Sequence, residues 1–364
     1  MGLASHLQLI DLGALELQGW ADEAIATAQI EGEILQVNSV RASAARRLGM
    51  ADAKALDRDT RTEATLDVLQ AAIEQSHQPL SHDILYGWQA ALFPTGRSGI
   101  QKIRTGAYRD HAEPMQIVTP RMGMNDIVHY QAPDSADVHA QMTRLIEWFN
   151  SSLGKTDGLV RAALAHLWLE AVHPFEDGNG RVGRALVEMA LAQDLKTDKR
   201  LWSLSQQMWL DRAGYYAQLQ TATGQASMDV TPWVQWFVGC VHKAADATWE
   251  LMQAAMRKTR FWSELREQHP QLTPTQIKAI NKLYDVGPDG FVNGISTEKY
   301  VNLCRVSRAT AYRELTALCE IGLLVQTGTG RGTRYKLEDL LAGITDGNGH
   351  DGVDFGGPVG LEEF

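Results

Sequence analysis

Helical periodicity runs through most of this sequence and is the feature that most constrains its fold. Residues 15–48 and 64–75 place apolar side chains three or four positions apart among Ala, Glu and Arg, which predicts amphipathic α-helices. Helix resumes at Asp137, and residues 181–195 repeat the pattern. An apolar stripe leads into His173 and consists of Val160, Ala163, Leu164, Leu167, Trp168 and Ala171. The sequence therefore predicts a mainly α fold.

Two segments break this pattern before the C-terminal region. Pro and Gly recur between residues 78 and 105, which predicts an irregular connection. Farther on, the short runs MQIVT and DIVHY flank the turn-like PRMGMN. Residues 115–130 are therefore predicted to form a β-hairpin, the one clear strand pair ahead of the C-terminal module.

Composition sets the class of protein. With 364 residues, of which 44% are hydrophobic and 21% charged, the chain can bury a core and is expected to divide into two or three domains. No apolar run reaches the roughly 18 residues that cross a bilayer, and the N-terminus lacks a signal pattern, so a cytoplasmic protein without a membrane partner is predicted. Cys240, Cys304 and Cys319 show no CxxC spacing and are predicted to be core thiols.

Charge is distributed unevenly along the chain, whose net charge is -10. Residues 270–337 carry nine Lys/Arg against five Asp/Glu, whereas residues 338–364 carry seven acids and no base. The C-terminal region is thus a basic module followed by an acidic, Gly-rich tail, and the tail at residues 341–364 is predicted to be disordered.

Residues 173–184 read HPFEDGNGRVGR. Polar residues flanked by glycines pack poorly in a hydrophobic core, so this stretch is predicted to form a ligand site. Pro174 disfavours helix at His173, so the preceding helix should end there and leave the imidazole at the mouth of a loop. An imidazole titrates near neutrality and can take a proton from a hydroxyl. Phe175 is predicted to turn inward and anchor the loop. A capping role without catalysis is the alternative for His173.

The second half of this stretch has the features of a phosphate site. Gly178, Asn179 and Gly180 let a ligand approach backbone N–H groups closely at the start of the next helix, where anions bind favourably. Arg181 and Arg184 share one face of the first turn of that helix, so their guanidinium groups can grip phosphate oxygens.

Asp177 offers a hard oxygen ligand beside that phosphate site, as magnesium requires when one carboxylate and phosphates hold it. Capping of the following helix is a second role for Asp177, compatible with the first. Arg184 could instead pair with Glu188 one turn on. Base, metal ligand, anion site and paired arginines together predict nucleotidyl or phosphoryl transfer to a hydroxyl.

These twelve residues resemble the Fic-domain signature HxFx(D/E)GNGRxxR, with Glu176 at the variable position and Asp177 at the acidic one. The resemblance implies an all-helical Fic core with a β-hairpin flap that aligns a target segment by strand addition. It also implies transfer of AMP from ATP to a Ser, Thr or Tyr hydroxyl of a protein. In that reaction His173 is the base, Asp177 holds Mg²⁺, the Gly-Asn-Gly backbone cradles the α- and β-phosphates, and the two arginines bind the outer phosphates.

An upstream stretch, TAQIEG at residues 27–32, is similar to the inhibitory [S/T]xxxE[G/N] helix of self-inhibited Fic proteins. Thr27 and Glu31 are four residues apart and share a helix face, with Gly32 next. The resemblance implies that Glu31 pairs with Arg184 where the γ-phosphate of ATP should lie. At an effective dielectric constant near 20, a charge pair at about 4 Å interacts by roughly 4 kcal/mol before desolvation, enough to misplace ATP. Without this context, Glu31 is an ordinary solvated acid.

Three ring side chains near the motif have less specific roles. Tyr215 and Tyr216 are predicted either to line an adenine pocket or simply to pack. His166 lies seven residues before His173, but no third metal ligand is apparent, so a core histidine is predicted.

The C-terminal module resembles a winged helix-turn-helix. Three predicted helices, TPTQIKAINKLYDV, STEKYVNLCR and SRATAYRELTALCEIG, precede a Gly-rich hairpin, LLVQTGTGRGTRYKL. Ser307 is predicted to cap the recognition helix, and DNA contacts are predicted at Arg308, Arg313, Arg331 and Arg334. Protein binding or dimerisation is the alternative for this module.

The sequence thus predicts five regions, namely a helical N-terminal domain (1–95), a Fic core (96–245), a linker helix (246–270), a small α+β winged helix-turn-helix (271–340) and an acidic tail (341–364). The predicted function is a self-inhibited protein adenylyltransferase that uses ATP and Mg²⁺ on a target protein or on itself, with a homodimer as one arrangement. Three alternatives are open: removal of AMP from a modified protein, nucleotide sensing by a transcriptional regulator, and a nucleotide donor with another base.

Overall fold

The fold is mainly helical, as the sequence predicts. The computed structural model describes residues 12–50, 58–113, 115–119, 127–224, 229–290 and 294–337. Within them the chain forms two compact units, residues 12–249 and residues 250–337. The predicted acidic tail (341–364) and the predicted turn of the hairpin (120–126) lie outside the described residues.

The first unit is built from helices and two short hairpins. Its helices are α1 (Leu12–Ile30), α2 (Val37–Arg47), α3 (Thr60–Glu74), α4 (His82–Leu92), α5 (Ser135–Ser151), α6 (Gly158–Val172), α7 (Asn179–Leu195), α8 (Leu204–Leu210), α9 (Arg212–Gly224) and the first part of α10 (Thr231–Gln268). A 3-10 turn at Gln75–His77 follows α3. Strands β1 (Arg97–Ser98) and β2 (Gln101–Lys102) pair antiparallel, as do β3 (Gln116–Thr119) and β4 (Ile127–Gln131). The strand pair predicted for residues 115–130 is therefore confirmed.

The helical pattern of residues 15–48 forms two helices, because Gly32 adopts φ 78° and ends the first one. One sequence prediction is wrong in this unit. The predicted irregular segment at residues 78–105 contains α4, which Ser81 caps by accepting a hydrogen bond from Ile84 N at 3.3 Å. It also contains the β1–β2 pair, whose two-residue strands are too short to show an alternating pattern.

The core of the first unit lies around α6 and α7. Both helices bury most of their side chains against surrounding helices, and the fully buried rings of this core include Trp88, Trp233, Tyr215, Phe149 and Phe175. Burial of side chains of this size stabilises a fold by roughly 1.5–3 kcal/mol each. The site loop between α6 and α7 is therefore anchored at both ends in the most rigid part of the unit.

A buried ionic cluster holds α1 on this core. Glu23 of α1 accepts a hydrogen bond from Ser203 Oγ at 2.9 Å, and Arg200 pairs with both Glu23 and Glu188 of α7. All three charged side chains are almost fully buried. Glu188 thus has Arg200 as its partner, so the alternative pairing of Glu188 with Arg184 does not form. Because α1 ends at Ile30, directly before Glu31, the cluster also helps to set where the Glu31 carboxylate lies.

The second unit follows the predicted order of three helices and a hairpin. It contains the end of α10, which includes the predicted linker helix, then α11 (Pro274–Gly290), α12 (Thr297–Cys304), α13 (Arg308–Glu320), β5 (Leu324–Thr327) and β6 (Arg334–Leu337). The strands pair antiparallel, and a core of Phe261, Tyr300, Leu315 and Tyr335 fills the unit. Ser307 accepts a hydrogen bond from Thr310 N at 3.1 Å, which confirms the predicted cap of α13. Its assignment as a winged helix-turn-helix stays a prediction.

The cysteines and the helices show two further features. Cys240 is buried and Cys304 and Cys319 are half-buried, and all three are free thiols. Across the described ranges, no helix combines the length and apolarity needed to cross a membrane.

Candidate active site

His173 stands at the end of α6 in a strained backbone conformation. Its φ is 50°, in the left-handed region, so the helix stops there as Pro174 predicts. Arg109, which is 2% exposed, donates from Nε to the His173 carbonyl at 2.8 Å, and its backbone N donates to the Pro174 carbonyl at 2.9 Å. Burial lowers the pKa of His173, and Arg109 adds to the shift. The backbone of His173 is therefore held in place, and its imidazole favours the neutral, proton-accepting form at neutral pH.

The loop after His173 is fixed by its own side chains. Phe175 is fully buried, as predicted. Asn179 Oδ1 accepts from Phe175 N at 2.8 Å, and Asn179 Nδ2 donates to the Phe175 carbonyl at 2.8 Å. Gly178 adopts φ 88°, and a Cβ there would lie 2.9 Å from the Phe93 ring, so only glycine fits. The Asn179 side chain thus shapes the loop, and a ligand would meet the backbone.

Asp177 lies beside this backbone and has neighbours on both sides. Its Oδ1 accepts from Gly178 N at 2.5 Å, Ser98 Oγ donates to its other oxygen, and Arg181 Nη2 is 3.7 Å away. In the part of the chain that the structure describes, no cluster of three His, Cys, Asp or Glu side chains can form a metal cage. One carboxylate completed by phosphate oxygens and water is a donor set that suits Mg²⁺.

Arg184 is 2% exposed and is held by the end of α1. Glu31 Oε1 lies 2.5 Å from its Nη2, and Thr27 Oγ1 accepts from its Nε at 2.6 Å. Burial alone would raise the pKa of Glu31, but the positive charge of Arg184 outweighs it, so the pKa is lowered and Glu31 is ionised at neutral pH. The structure thus brings Arg184 into contact with Thr27 and Glu31, which lie 157 and 153 residues earlier in the sequence.

The second arginine of the motif is also paired. Arg181 Nη1 lies 3.1 Å from Glu33 Oε1, and its guanidinium stacks over the Phe93 ring at 4.9 Å from the centroid. A Cβ on Gly180 would lie 2.3 Å from Glu31 Oε1, so a larger residue there would force the Glu31 carboxylate to shift.

A cavity of about 460 Å³ opens in front of these groups. It is lined by the loop backbone and by residues of α1, α6 and α9, namely Glu31, Tyr130, Glu170, His173, Glu176, Asp177, Gly178, Asn179, Gly180, Tyr215, Tyr216, Leu219, Gln220 and Thr223. Tyr130 Oη donates to the Ala171 carbonyl at 2.5 Å, which fastens β4 to α6. This volume falls in the range of sites that bind small molecules.

The two predicted adenine-pocket tyrosines differ in their surroundings. Tyr215 is 2% exposed, and its hydroxyl bonds His166 Nε2 at 2.9 Å. Tyr216 is 44% exposed, and its hydroxyl donates to the Ile30 carbonyl at 3.2 Å. His166 is fully buried and stacks on Trp233, so the core role predicted for it is confirmed. Both tyrosines line the cavity, and their contact with adenine stays a prediction.

Four residues that shape the site were missed in the sequence. Arg109 and Ser98 come from the segment before α5 and carry no motif. Glu33 directly follows the recognised TAQIEG stretch. Glu170 lines the cavity one turn before His173, and burial raises its pKa to about 7, with the nearby Glu31 charge adding to the rise. Its position three residues before His173 could have marked Glu170 as part of the site. Its helical spacing alone, however, predicts only that it lies on a packing face of α6.

The predicted DNA-contacting residues belong to the second unit. Arg308 and Arg313 are exposed on α13. Arg334 lies in β6, where its Nη1 donates to the Thr333 carbonyl at 2.9 Å. The side chain of Arg331 lies outside the described part.

Comparison with known proteins agrees with the motif. Residues 79–191 match the Fic/DOC family, and residues 1–50 match a domain of unknown function, DUF4172. A Fic family protein from Desulfovibrio desulfuricans G20 has the same fold, with a TM-score of 0.52 and 20% identity over 93% of this chain and 91% of its own. A Fic domain containing signaling protein from Bacteroides thetaiotaomicron VPI-5482 has a TM-score of 0.51 and 17% identity, over 69% of this chain and 91% of its own. Residues 79–191 of this chain are therefore similar to Fic domains in sequence, and the chain shares its fold with Fic family structures.

Its curated homologues carry a more specific name. Protein adenylyltransferase fic-1 of Caenorhabditis briggsae is 31% identical over 144 residues, which is 39% of this chain and 26% of that protein. Protein adenylyltransferase Fic of Drosophila willistoni is 28% identical over 183 residues, 49% of this chain and 35% of that protein. The aligned part thus covers about a quarter to a third of these relatives.

Proposed function

We propose that this protein transfers AMP from ATP to a Ser, Thr or Tyr hydroxyl of a protein, either itself or a target, and that Glu31 restrains the reaction. The observation that carries the proposal is the 2.5 Å ion pair between Arg184 and Glu31, which lines the same cavity as His173. The homologues named protein adenylyltransferase support the same reaction class.

The loop supplies the groups that transfer requires. His173 takes the proton of the target hydroxyl as its oxygen attacks the α-phosphorus of ATP, and the bond from that phosphorus to the bridging oxygen breaks to release pyrophosphate. Backbone N–H groups at the start of α7 and the guanidinium groups of Arg181 and Arg184 stabilise the negative charge of the phosphates. Asp177 is the residue that would hold Mg²⁺, which when bound neutralises phosphate charge.

The β3–β4 hairpin provides a way to present the target. A two-stranded sheet can accept an extended segment along an edge, where main-chain hydrogen bonds fix its register. Tyr130 ties the hairpin to α6 close to His173. An added strand would therefore run past the base, and its hydroxyl residue is the one modified.

Restraint follows from competition for Arg184. In this state the guanidinium that would bind an outer phosphate is neutralised by Glu31 and donates a hydrogen bond to Thr27. A charged hydrogen bond of this kind contributes about 1.5–3 kcal/mol, so a triphosphate must displace it to bind productively. Release of the end of α1 is thus the activating step.

The test is covalent label transfer. The Glu31→Gly protein, incubated with Mg²⁺ and α-labelled ATP alone or with a cell lysate, is expected to incorporate label at least about tenfold faster than the unaltered chain, since about 1.4 kcal/mol corresponds to tenfold. With γ-labelled ATP no incorporation is expected, because that label leaves with pyrophosphate. If the variant binds ATP and incorporates no α-label, the transferase proposal is wrong and a nucleotide sensor is the better reading.

We further propose that α13 binds DNA. Its cap at Ser307 and the exposure of Arg308 and Arg313 support this, because exposed arginines near a helix N-terminus can reach phosphates and bases. In gel shifts, Arg308→Ala with Arg313→Ala is expected to weaken binding at least about tenfold and to reduce its salt dependence. Binding that is unchanged by the double substitution contradicts the assignment.

A further inference from the structure

We infer that Glu33 is a second determinant of which nucleotides the site accepts, and that it acts by occupying Arg181 while Glu31 occupies Arg184. The inference rests on the proposed function, because it treats the cavity as a nucleotide site. It adds a residue that lies outside the TAQIEG stretch.

The contact between Glu33 and Arg181 is an ion pair at the start of α7, directly after Gly180, which lines the cavity. Glu33 Oε1 is 3.1 Å from Arg181 Nη1, and the two side chains are 29% and 9% exposed. The guanidinium has little freedom to turn away, because Phe93 covers one face and Asp177 lies 3.7 Å from Nη2. A nucleotide phosphate that needs Arg181 must therefore compete with Glu33.

The end of α1 explains why Glu31 and Glu33 reach the two arginines together. Gly32 has φ 78°, its N–H donates to the Gln29 carbonyl at 3.0 Å, and Glu33 N donates to the Ala28 carbonyl at 2.9 Å. These two bonds form a Schellman motif, in which a left-handed glycine closes the helix. The turn holds the acids on either side of Gly32 in fixed positions.

The two acids then match the two arginines one to one. Arg181 and Arg184 are three residues apart on the first turn of α7, and each has its own carboxylate from the end of α1. In this state the site has lost the positive charge that outer phosphates need, and the Glu31 carboxylate also lies against Gly180, whereas AMP has no outer phosphate to place there. The braked site should therefore discriminate against ADP and ATP much more than against AMP.

Removing Glu31 alone leaves half of this arrangement in place. Arg184 becomes available, but Arg181 is still neutralised by Glu33. Glu33→Gln is therefore expected to raise affinity for nucleotides with outer phosphates and to leave AMP nearly unchanged, and its effect should add to that of Glu31→Gln.

Calorimetric titration of the 364-residue chain tests this directly. The ligands are AMP, ADP and an ATP analogue with a methylene group between the α- and β-phosphates, which cannot be transferred. The proteins are the unaltered chain, Glu31→Gln, Glu33→Gln and the double variant. Glu33→Gln is expected to bind ADP and the analogue about tenfold more tightly, with AMP changed by less than about twofold, and the double variant more tightly than either single one.

Glu63→Gln is the matched control. Glu63 is a partly buried acid, 22% exposed, that pairs with Arg46 at 2.8 Å on helices away from the cavity, so no affinity should change. Thermal unfolding without ligand shows whether each variant is folded.

The outcomes separate this inference from the proposed function. If Glu31→Gln gains affinity and Glu33→Gln does not, the role of Glu33 is wrong and the nucleotide site stands. An equal gain for AMP and ADP also overturns the inference, because it shows an effect unrelated to outer phosphates. If folded variants, the double one included, bind none of the three ligands, both the inference and the proposed function are wrong.

Discussion

Replacing His173 by alanine in the Glu31→Gly protein is expected to lower the initial rate of AMP transfer by about 10²- to 10⁴-fold, the range that a positioned general base contributes. The target hydroxyl would then have to lose its proton to solvent. Affinity for the methylene ATP analogue should change little, because the proposed phosphate contacts come from the start of α7. Initial rates of α-label incorporation and titration of the analogue measure the two quantities separately.

A pH profile distinguishes a base from a structural residue. Since burial lowers the pKa of His173, its neutral form persists below the usual value of about 6.5. The rate in the Glu31→Gly protein should be level near pH 7 and fall only at more acidic pH, and the residual rate of the His173→Ala variant should lack that step. His242→Ala is the control, because His242 is exposed and pairs with Asp246. Full activity in the His173→Ala variant would show that His173 is not the general base.

Most of the candidate site could be predicted because its parts are local in the chain. Residues 173–184 contain both the end of one helix and the start of the next, so Pro174 and the glycines determine the backbone geometry within a few residues. The pairing of Glu31 with Arg184 spans 153 residues, and it could be predicted only through the resemblance of TAQIEG to a known inhibitory helix. Periodicity alone places Glu31 on a solvated surface.

The residues that could not be predicted act through tertiary contacts. Arg109 supports His173 across 64 residues, and nothing in its neighbourhood marks it as different from other arginines. Glu33 depends on the Schellman turn at Gly32, which the helical pattern of residues 15–48 conceals. Helix α4 was also not predicted. It has only eleven residues, and the Pro and Gly residues on either side of it led to the prediction of an irregular segment.

The second large effect is expected on stability. Arg184→Ala, measured without nucleotide, should lower the free energy of unfolding of the first unit by about 1–3 kcal/mol, because it removes a buried guanidinium and leaves the partly exposed Glu31 carboxylate without its charged partner. Urea unfolding followed by tryptophan fluorescence is the suitable measurement, since nine of the ten tryptophans lie within residues 12–249. Arg184→Ala in a Glu31→Gln background should cost less, with a coupling of about 0.5–3 kcal/mol.

The same ion pair predicts how stability depends on pH. The pKa of Glu31 is lowered in the folded protein, so the folded state binds fewer protons than the unfolded one near the usual carboxyl range, and stability increases with pH there. The contribution of the pair is fully present above the unfolded pKa of about 4.3 and is lost as the pH falls through the lowered folded value. The difference in unfolding free energy between the unaltered chain and Glu31→Gln should therefore be constant from pH 6 to 8 and shrink in acid. A difference that does not change with pH would mean that folding does not shift the pKa of Glu31, and its pairing with the Arg184 charge could not then be the basis of the brake.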